Sequence, residues 1–258
     1  MKETIIIEKE KVELRKPILI EGFPGLGVVG KIATDFLIRQ MKAKKLAEMY
    51  SPHFPYYVLV SKKGSIRLLR TDFYYWKNET EGNDLIFLTG DTQAQTVEGQ
   101  YEIADHILRF AEKKGVKLII TIGGYRREVE DKPQVVAAAT DPETLSKALE
   151  VGAINSPLGN PIVGTAGLIL GLAKFKKINA LCLLGETLGY LPDLKAAKSV
   201  LKVLLKIVKL EVDLSELDKE IDKSEQLIAR MQRIEEQRMV SAQRRREAAE
   251  GGRVTYIG

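Results

Sequence analysis

The sequence predicts an α/β protein, a three-layer α/β/α sandwich around a mostly parallel central sheet, followed by a helical C-terminal extension. Three observations lead there. Residues 17–31 run from the apolar strand Ile18-Leu-Ile20 through Gly22, Gly25, Gly27 and Gly30 into helical spacing at Val29, Ile32, Phe36, Leu37 and Met41, which is the first half of a βα unit. Short apolar runs then alternate with helical spacing, and three of them close on Gly90-Asp91, Gly123-Gly124 and Gly185-Glu186. Beyond Glu211 the apolar content thins to one seam. The expected division is a core over 1–210, a helical extension over 211–250 and a flexible tail over 251–258.

The elements follow in order. Residues 4–14 alternate loosely, with Ile5, Ile7, Val12 and Leu14, and predict an edge hairpin. After the first helix, 55–60 and 65–70 read as two strands joined through Gly64. Phe73, Tyr74, Tyr75 and Trp76 follow as a cluster, either a packing flap over the sheet edge or, the reading preferred because aromatics are enriched at interfaces, a subunit or partner contact. Strands are predicted at 84–90, 116–122, 135–139 and 179–184, and helices over 97–114, from Asp141 as cap, and around 168–173.

Near Pro192 a helix begins with Lys195, Lys198, Lys202, Lys206 and Lys209 down one face, read as a solvated stripe. Leu214, Leu217, Ile221, Ile228 and Met231 then recur at heptad-like spacing between charged flanks. So narrow a stripe is marginal alone and gains stability by pairing with another copy or partner.

The 258 residues, 45% hydrophobic, can bury a substantial core. No apolar run is long enough to span a bilayer, and the N-terminus lacks a signal-peptide core, so a cytoplasmic protein is expected. The lone cysteine, Cys182, sits in a strand and reads as core filler. His53 and His106 are the two histidines and neither has a partner at ligand spacing, so neither a metal site nor a His-based triad is expected. The net charge of +5 is carried on helical stretches without interleaved aromatics, so nucleic acid is not an expected partner.

The glycine turn leaves alternatives open. Gly25, Gly27 and Gly30 fit G-x-G-x-x-G between a strand and a helix, where a backbone can approach a pyrophosphate at a helix N-terminus. Glu48 then stands near the distance of a ribose-binding acid, and Asp91 and Glu186 could share the strand-end rim with the turn as a phosphate or polar-ligand site. The same glycines could equally pack a helix tightly on a sheet and bind nothing.

Glu21-Gly-Phe-Pro-Gly-Leu-Gly-Val-Val-Gly30 with Lys31-Ile-Ala resembles the opening motif of the proteasome assembly chaperone family in its archaeal branch. Leu-Thr-Gly-Asp at 88–91, Thr-Ile-Gly-Gly-Tyr at 121–125, Gly-Thr-Ala-Gly-Leu at 164–168 and Leu-Leu-Gly-Glu-Thr-Leu-Gly-Tyr at 183–190 continue the resemblance in order. It implies a phosphorylase-like layout, no enzymatic activity, no cofactor and no catalytic residues. It also implies a homo-oligomer, a ring or bundle such as a tetramer or pentamer, that binds proteasome subunits or a related protein. Val254, Tyr256, Ile257 and Gly258 beyond Gly251-Gly252 are expected to act as a docking tail. Proteasome activators resemble this with a hydrophobic-tyrosine-any residue ending, from which Tyr256 departs in standing third from last.

Overall fold

The structure, a computed structural model, describes residues 1–127 and 132–251. Its strands are β1 (Ile5–Glu8), β2 (Ile18–Gly22), β3 (Lys44–Tyr50), β4 (Val58–Val60), β5 (Ile66–Leu68), β6 (Thr71–Trp76), β7 (Leu85–Gly90), β8 (Leu118–Arg126), β9 (Val135–Ala139), β10 (Ile154–Asn155) and β11 (Asn179–Thr187). The helices are α1 (Val29–Gln40), α2 (Val97–Lys113), α3 (Pro142–Glu150), α4 (Thr165–Ala173), α5 (Leu194–Val208) and α6 (Ser215–Gly251). Chain contacts divide the molecule into one unit ending at Asp213 and another starting at Leu214.

Nine strands form one sheet in the order β1-β3-β6-β7-β2-β8-β11-β9-β10, and β4 and β5 form a separate ribbon. The centre, β7-β2-β8-β11, is parallel. Outward on one side β6, β3 and β1 pair antiparallel, and on the other β9 runs antiparallel to β11. Central strands buried on both faces read as continuous apolar runs; β2 and β7 are buried at every residue. Helices α1 and α5 cover one face, with α3 beside α5, while α2 and α4 pack together on the other. This is the expected α/β/α sandwich.

Helix caps follow the sequence: Asp141 accepts from the Thr144 amide, Thr96 from Gly99 and Asp193 from Ala196. Four of the five lysines of the α5 stripe are exposed and Lys198 is half-buried. No helix of the described residues is long and apolar enough to cross a membrane.

Three expectations need correction. Residues 4–14 do not form a hairpin, because β1 pairs with β3 and the chain beyond it is held by the Lys9 and Glu10 amides on the Leu46 carbonyl. The aromatic cluster is strand β6 inside the sheet: Phe73 and Tyr75 are buried, Phe73 packing on Phe110 at 4.5 Å between ring centres, while Tyr74 and Trp76 are half-buried. Alternation along a strand puts the first pair in the core, and Trp76 lines an open cleft of about 440 Å³ with Met41 and Leu210. Finally, Gly123-Gly124 and Gly185-Glu186 do not end their strands, which run on to Arg126 and Thr187.

Helix α6 is 37 residues long, about 55 Å at 1.5 Å per residue. Leu217 and Ile221 are buried and Leu214 half-buried, whereas Leu227, Ile234 and Met239 are exposed. The side chains of Ile228 and Met231 lie outside the described residues, as do Val254, Tyr256, Ile257 and Gly258 entirely.

Candidate functional site

The glycine turn lies at the carboxyl ends of the parallel strands, where open α/β sheets bind ligands. Its glycines are explained first by packing. A Cβ on Gly22 would stand 2.1 Å from the Gly30 carbonyl oxygen, and one on Gly30 would stand 2.3 Å from the Ile122 carbonyl oxygen. These two residues therefore let α1 rest directly on β2 and β8. Gly124 lets β8 pass beneath the turn, since a Cβ there would meet the Leu26 carbonyl oxygen at 2.4 Å. That contact is why position 124, inside the strand, is glycine.

The turn is then closed by its own chain. Gly27 has φ +59° with the Thr187 hydroxyl 2.7 Å from its would-be Cβ. Its carbonyl accepts from the Asp193 amide at 2.8 Å. Val28, a β-branched residue, holds a left-handed φ of +53° as the helix cap, a strained choice that the surrounding packing imposes. Lys31 is committed to Asp35 at 3.0 Å. Over the turn stand Leu26, Leu188, Tyr190 and Leu191, all exposed.

The candidate rim acids are also committed. Arg67 forks onto Asp91 with distances of 2.5 and 2.8 Å, and the Arg70 amide adds 3.0 Å. Burial works against the Asp91 charge, but these donors outweigh it and hold the carboxyl below its usual range. Glu186 is buried and accepts from Arg127 and from the Gln134 amide, both at 3.0 Å. Each acid ties a connection to the end of its strand.

Glu48 is not placed as a ribose ligand. It lies within β3, separated from β2 by β6 and β7, whereas a dinucleotide fold needs the acid on the neighbouring strand. Burial opposes its charge, yet Lys9 at 2.9 Å and Arg70 at 2.7 Å keep it below the usual carboxylate range. The topology and the occupied acids argue against a dinucleotide cradle at Gly25, Gly27 and Gly30.

Sequence reasoning missed Glu21, one residue from the turn. It is buried in β2, in register with Thr121 of β8, itself in register with Cys182 of β11. The Phe23 amide donates to Glu21 Oε1, while Oε2 has no hydrogen-bond partner. Burial pushes its pKa up to about 8, so it is neutral at pH 7, and burial pushes the Cys182 thiol up to about 12. A thiol so held is no nucleophile. The glutamate interrupting an apolar run was the available signal. No group of three or more metal-ligating side chains occurs among the described residues. His53 binds Glu102 at 3.0 Å, and the Thr4 amide, from the segment before β1, donates to the same carboxylate.

The fold and rim together define a three-layer α/β protein whose strand-end turn is a packing joint overlaid by apolar side chains. The family model described as the PAC2 family matches residues 19–232, and the chain belongs to that family, as its resemblance to the proteasome assembly chaperones implies. Among solved structures, Pyrococcus furiosus PbaB, an archaeal proteasome activator, is 41% identical, with a TM-score of 0.85 over 90% of this chain and 100% of that one. PbaA of the same organism, an archaeal homolog of proteasome-assembly chaperone, is 27% identical, with a TM-score of 0.77 over 96% and 99%. The uncharacterized protein MJ1210 of Methanocaldococcus jannaschii is 35% identical, covering 97% of this chain and 95% of that protein.

Proposed function

We propose that this protein is a non-enzymatic, homo-oligomeric scaffold of the proteasome system, working in the cytoplasm as an assembly chaperone or activator. The observation that carries the reading is the 41% identity to a protein described as an archaeal proteasome activator, over that protein's whole length. The commitment of Asp91 and Glu186 to structural contacts agrees with a molecule that holds proteins at its surface. In this reading the α6 seam of Leu214, Leu217, Ile221, Ile228 and Met231 joins copies. Leu217 and Ile221 are already buried in the single chain, so on this reading the exposed Leu227 and Ile234, and not those two, meet the other copy. Residues Val254, Tyr256, Ile257 and Gly258 dock the partner, and several copies presenting them together multiply weak contacts by effective concentration.

The test is co-sedimentation with an archaeal 20S proteasome, and its peptidase rate, with the full chain and with residues 251–258 deleted. Binding by the full chain, lost on deletion at unchanged oligomer mass, supports the proposal. Binding retained after deletion removes the tail from it, and no binding by either removes the proteasome.

A further inference from the structure

The open cleft of about 440 Å³ lies wholly within the unit ending at Asp213 and takes no part in the reading above. Its volume suits a ligand of drug size, or about three residues of peptide. Trp76 at the end of β6, Met41 after α1, and Leu210 and Val212 before α6 give it apolar walls, each half-buried and so still partly wet. Lys42 and Glu211 complete the lining, both exposed and neither in an ion pair among the described residues. A peptide with apolar side chains beside a cation fits such walls: Glu211 takes the cation, and Lys42 donates to the carbonyls of an extended backbone laid across it. Arg253-Val-Thr-Tyr-Ile257 is a segment of that kind in this chain.

Length and register select which copy supplies it. Helix α6 carries Gly251 about 55 Å from Ser215, whereas residues 252–258 span at most about 25 Å. The cleft walls end two residues before the helix, so no chain fills its own cleft. Exposed Leu227 and Ile234 lie one heptad apart and share a face of α6. When two helices pack antiparallel about a two-fold axis, Leu227 of each meets Ile234 of the other, which sets Arg246 level with the other copy's Ser215. Gly251 then stands five residues, about 7.5 Å, beyond that helix start, with Leu210 and Val212 within the span of the segment that follows it. A parallel pairing would leave that segment about 55 Å from either cleft.

We infer that residues 252–258 of one protomer are captured in the Trp76 cleft of another, with Val254 and Tyr256 on its apolar walls and Arg253 on Glu211. The inference rests on the homo-oligomeric reading above and deepens it, because α6 then pairs antiparallel and the docking segment is held in reserve. The side chains offered to a partner are the ones in the cleft, so capture lowers the partner's apparent affinity by the fraction of segments released.

Trp76 is the single tryptophan of the chain, so its emission reports directly on the cleft. Native mass and emission are measured for the full chain, for the chain with residues 251–258 deleted, for Glu211→Lys, and for Glu211→Lys with Arg253→Glu. At unchanged oligomer mass, deletion should move the emission to the red as water replaces the segment. Glu211→Lys, a change at an exposed position, should follow it, and the charge-exchanged chain should return to the wild-type spectrum. The second arm is oxidation of Lys42→Cys with Thr255→Cys, which should link chains in pairs on a non-reducing gel. Buried Cys182, its thiol held up at about 12, does not compete. Emission unmoved by the deletion, a Glu211→Lys shift that Arg253→Glu leaves in place, or a disulfide that is absent or closed within one chain overturns the inference. A monomeric wild-type chain defeats the homo-oligomeric reading with it. An oligomer that binds the proteasome through residues 251–258 while its Trp76 emission ignores their deletion defeats the capture alone.

Discussion

The glycine turn and the β4–β5 ribbon invert each other's first impression. The turn matches a ligand-binding motif in the right strand-to-helix context, yet its atoms are spent on bringing α1, β2 and β8 together. The ribbon matches no motif, yet it leaves four aliphatic side chains in water. A motif records which backbone path is possible; exposure records what the path leaves unpaid. Function in a binding protein is read from the second quantity, since a side chain already satisfied within its own chain has nothing left to offer a partner.

The sharpest way to break this comparison is to add one methyl group at the joint. Gly22→Ala or Gly30→Ala should cost about 4 kcal/mol, above the usual overpacking range because both obstacles are backbone carbonyl groups. For a unit of this size that lowers the melting temperature by about 10 °C in calorimetry. A variant that melts with the wild type would remove the packing explanation and return the turn to ligand binding.

Glu21→Gln comes next. A carboxyl raised from 4.5 to about 8 in the folded state favours folding fully below 4.5, and that advantage is lost as pH rises toward 8. At pH 7 the wild type is thereby destabilised by about 3 kcal/mol relative to a neutral group of the same shape. Glu21→Gln should raise denaturant-derived stability at pH 7 and flatten its fall between pH 5 and 8. Parallel pH profiles for the two proteins would refute the buried neutral acid.

On the ribbon side, Arg67→Ala should cost only about 1 kcal/mol globally, since the pair is partly exposed and screened. Its larger effect is local. Releasing the face anchored by Arg67, and by Leu59 on the hydrophobic core, should speed tryptic cleavage at Lys62 and Lys63 severalfold while the melting temperature falls by only about 3 °C. Cleavage as slow as in the wild type would mean that Leu59 alone anchors the ribbon.

Much of this architecture was legible because the sheet centre is buried on both faces: Ile18 to Ile20, Leu85 to Leu88 and Ile119 to Ile122 announce themselves as apolar runs. Strand ends were less legible. Glycine after an apolar run means a turn when the chain is alone, but Gly124 and Gly185 are glycine because a neighbouring segment crosses them, Leu26 in one case and Ala196 in the other, and no local pattern carries that information. The aromatic run at 73–76 misled for a related reason, as alternation buries every second ring whatever the cluster's composition. Among rim residues, Asp91 follows the end of β7 whereas Glu186 lies within β11, and their partners Arg67 and Arg127 lie 24 and 59 positions away in sequence. Long-range pairing of this kind appears only when the chain is folded.

The smallest expected effect discriminates most finely within the turn itself. Gly25 is the member of the motif that packing does not require: its φ of −155° is open to any residue, and a Cβ there would touch only Gln93 Nε2 at an ordinary 3.8 Å. Gly25→Ala should therefore change stability by less than about 0.5 kcal/mol, against the strain and the Thr187 collision that Gly27→Ala meets two residues on. Because the fold is indifferent to a methyl group at position 25, any loss of partner binding in Gly25→Ala at unchanged melting temperature would have to come from the turn's outer surface, where Leu26 and Tyr190 stand exposed. Such a loss would make the joint a contact site in its own right and end the division of labour between turn and ribbon.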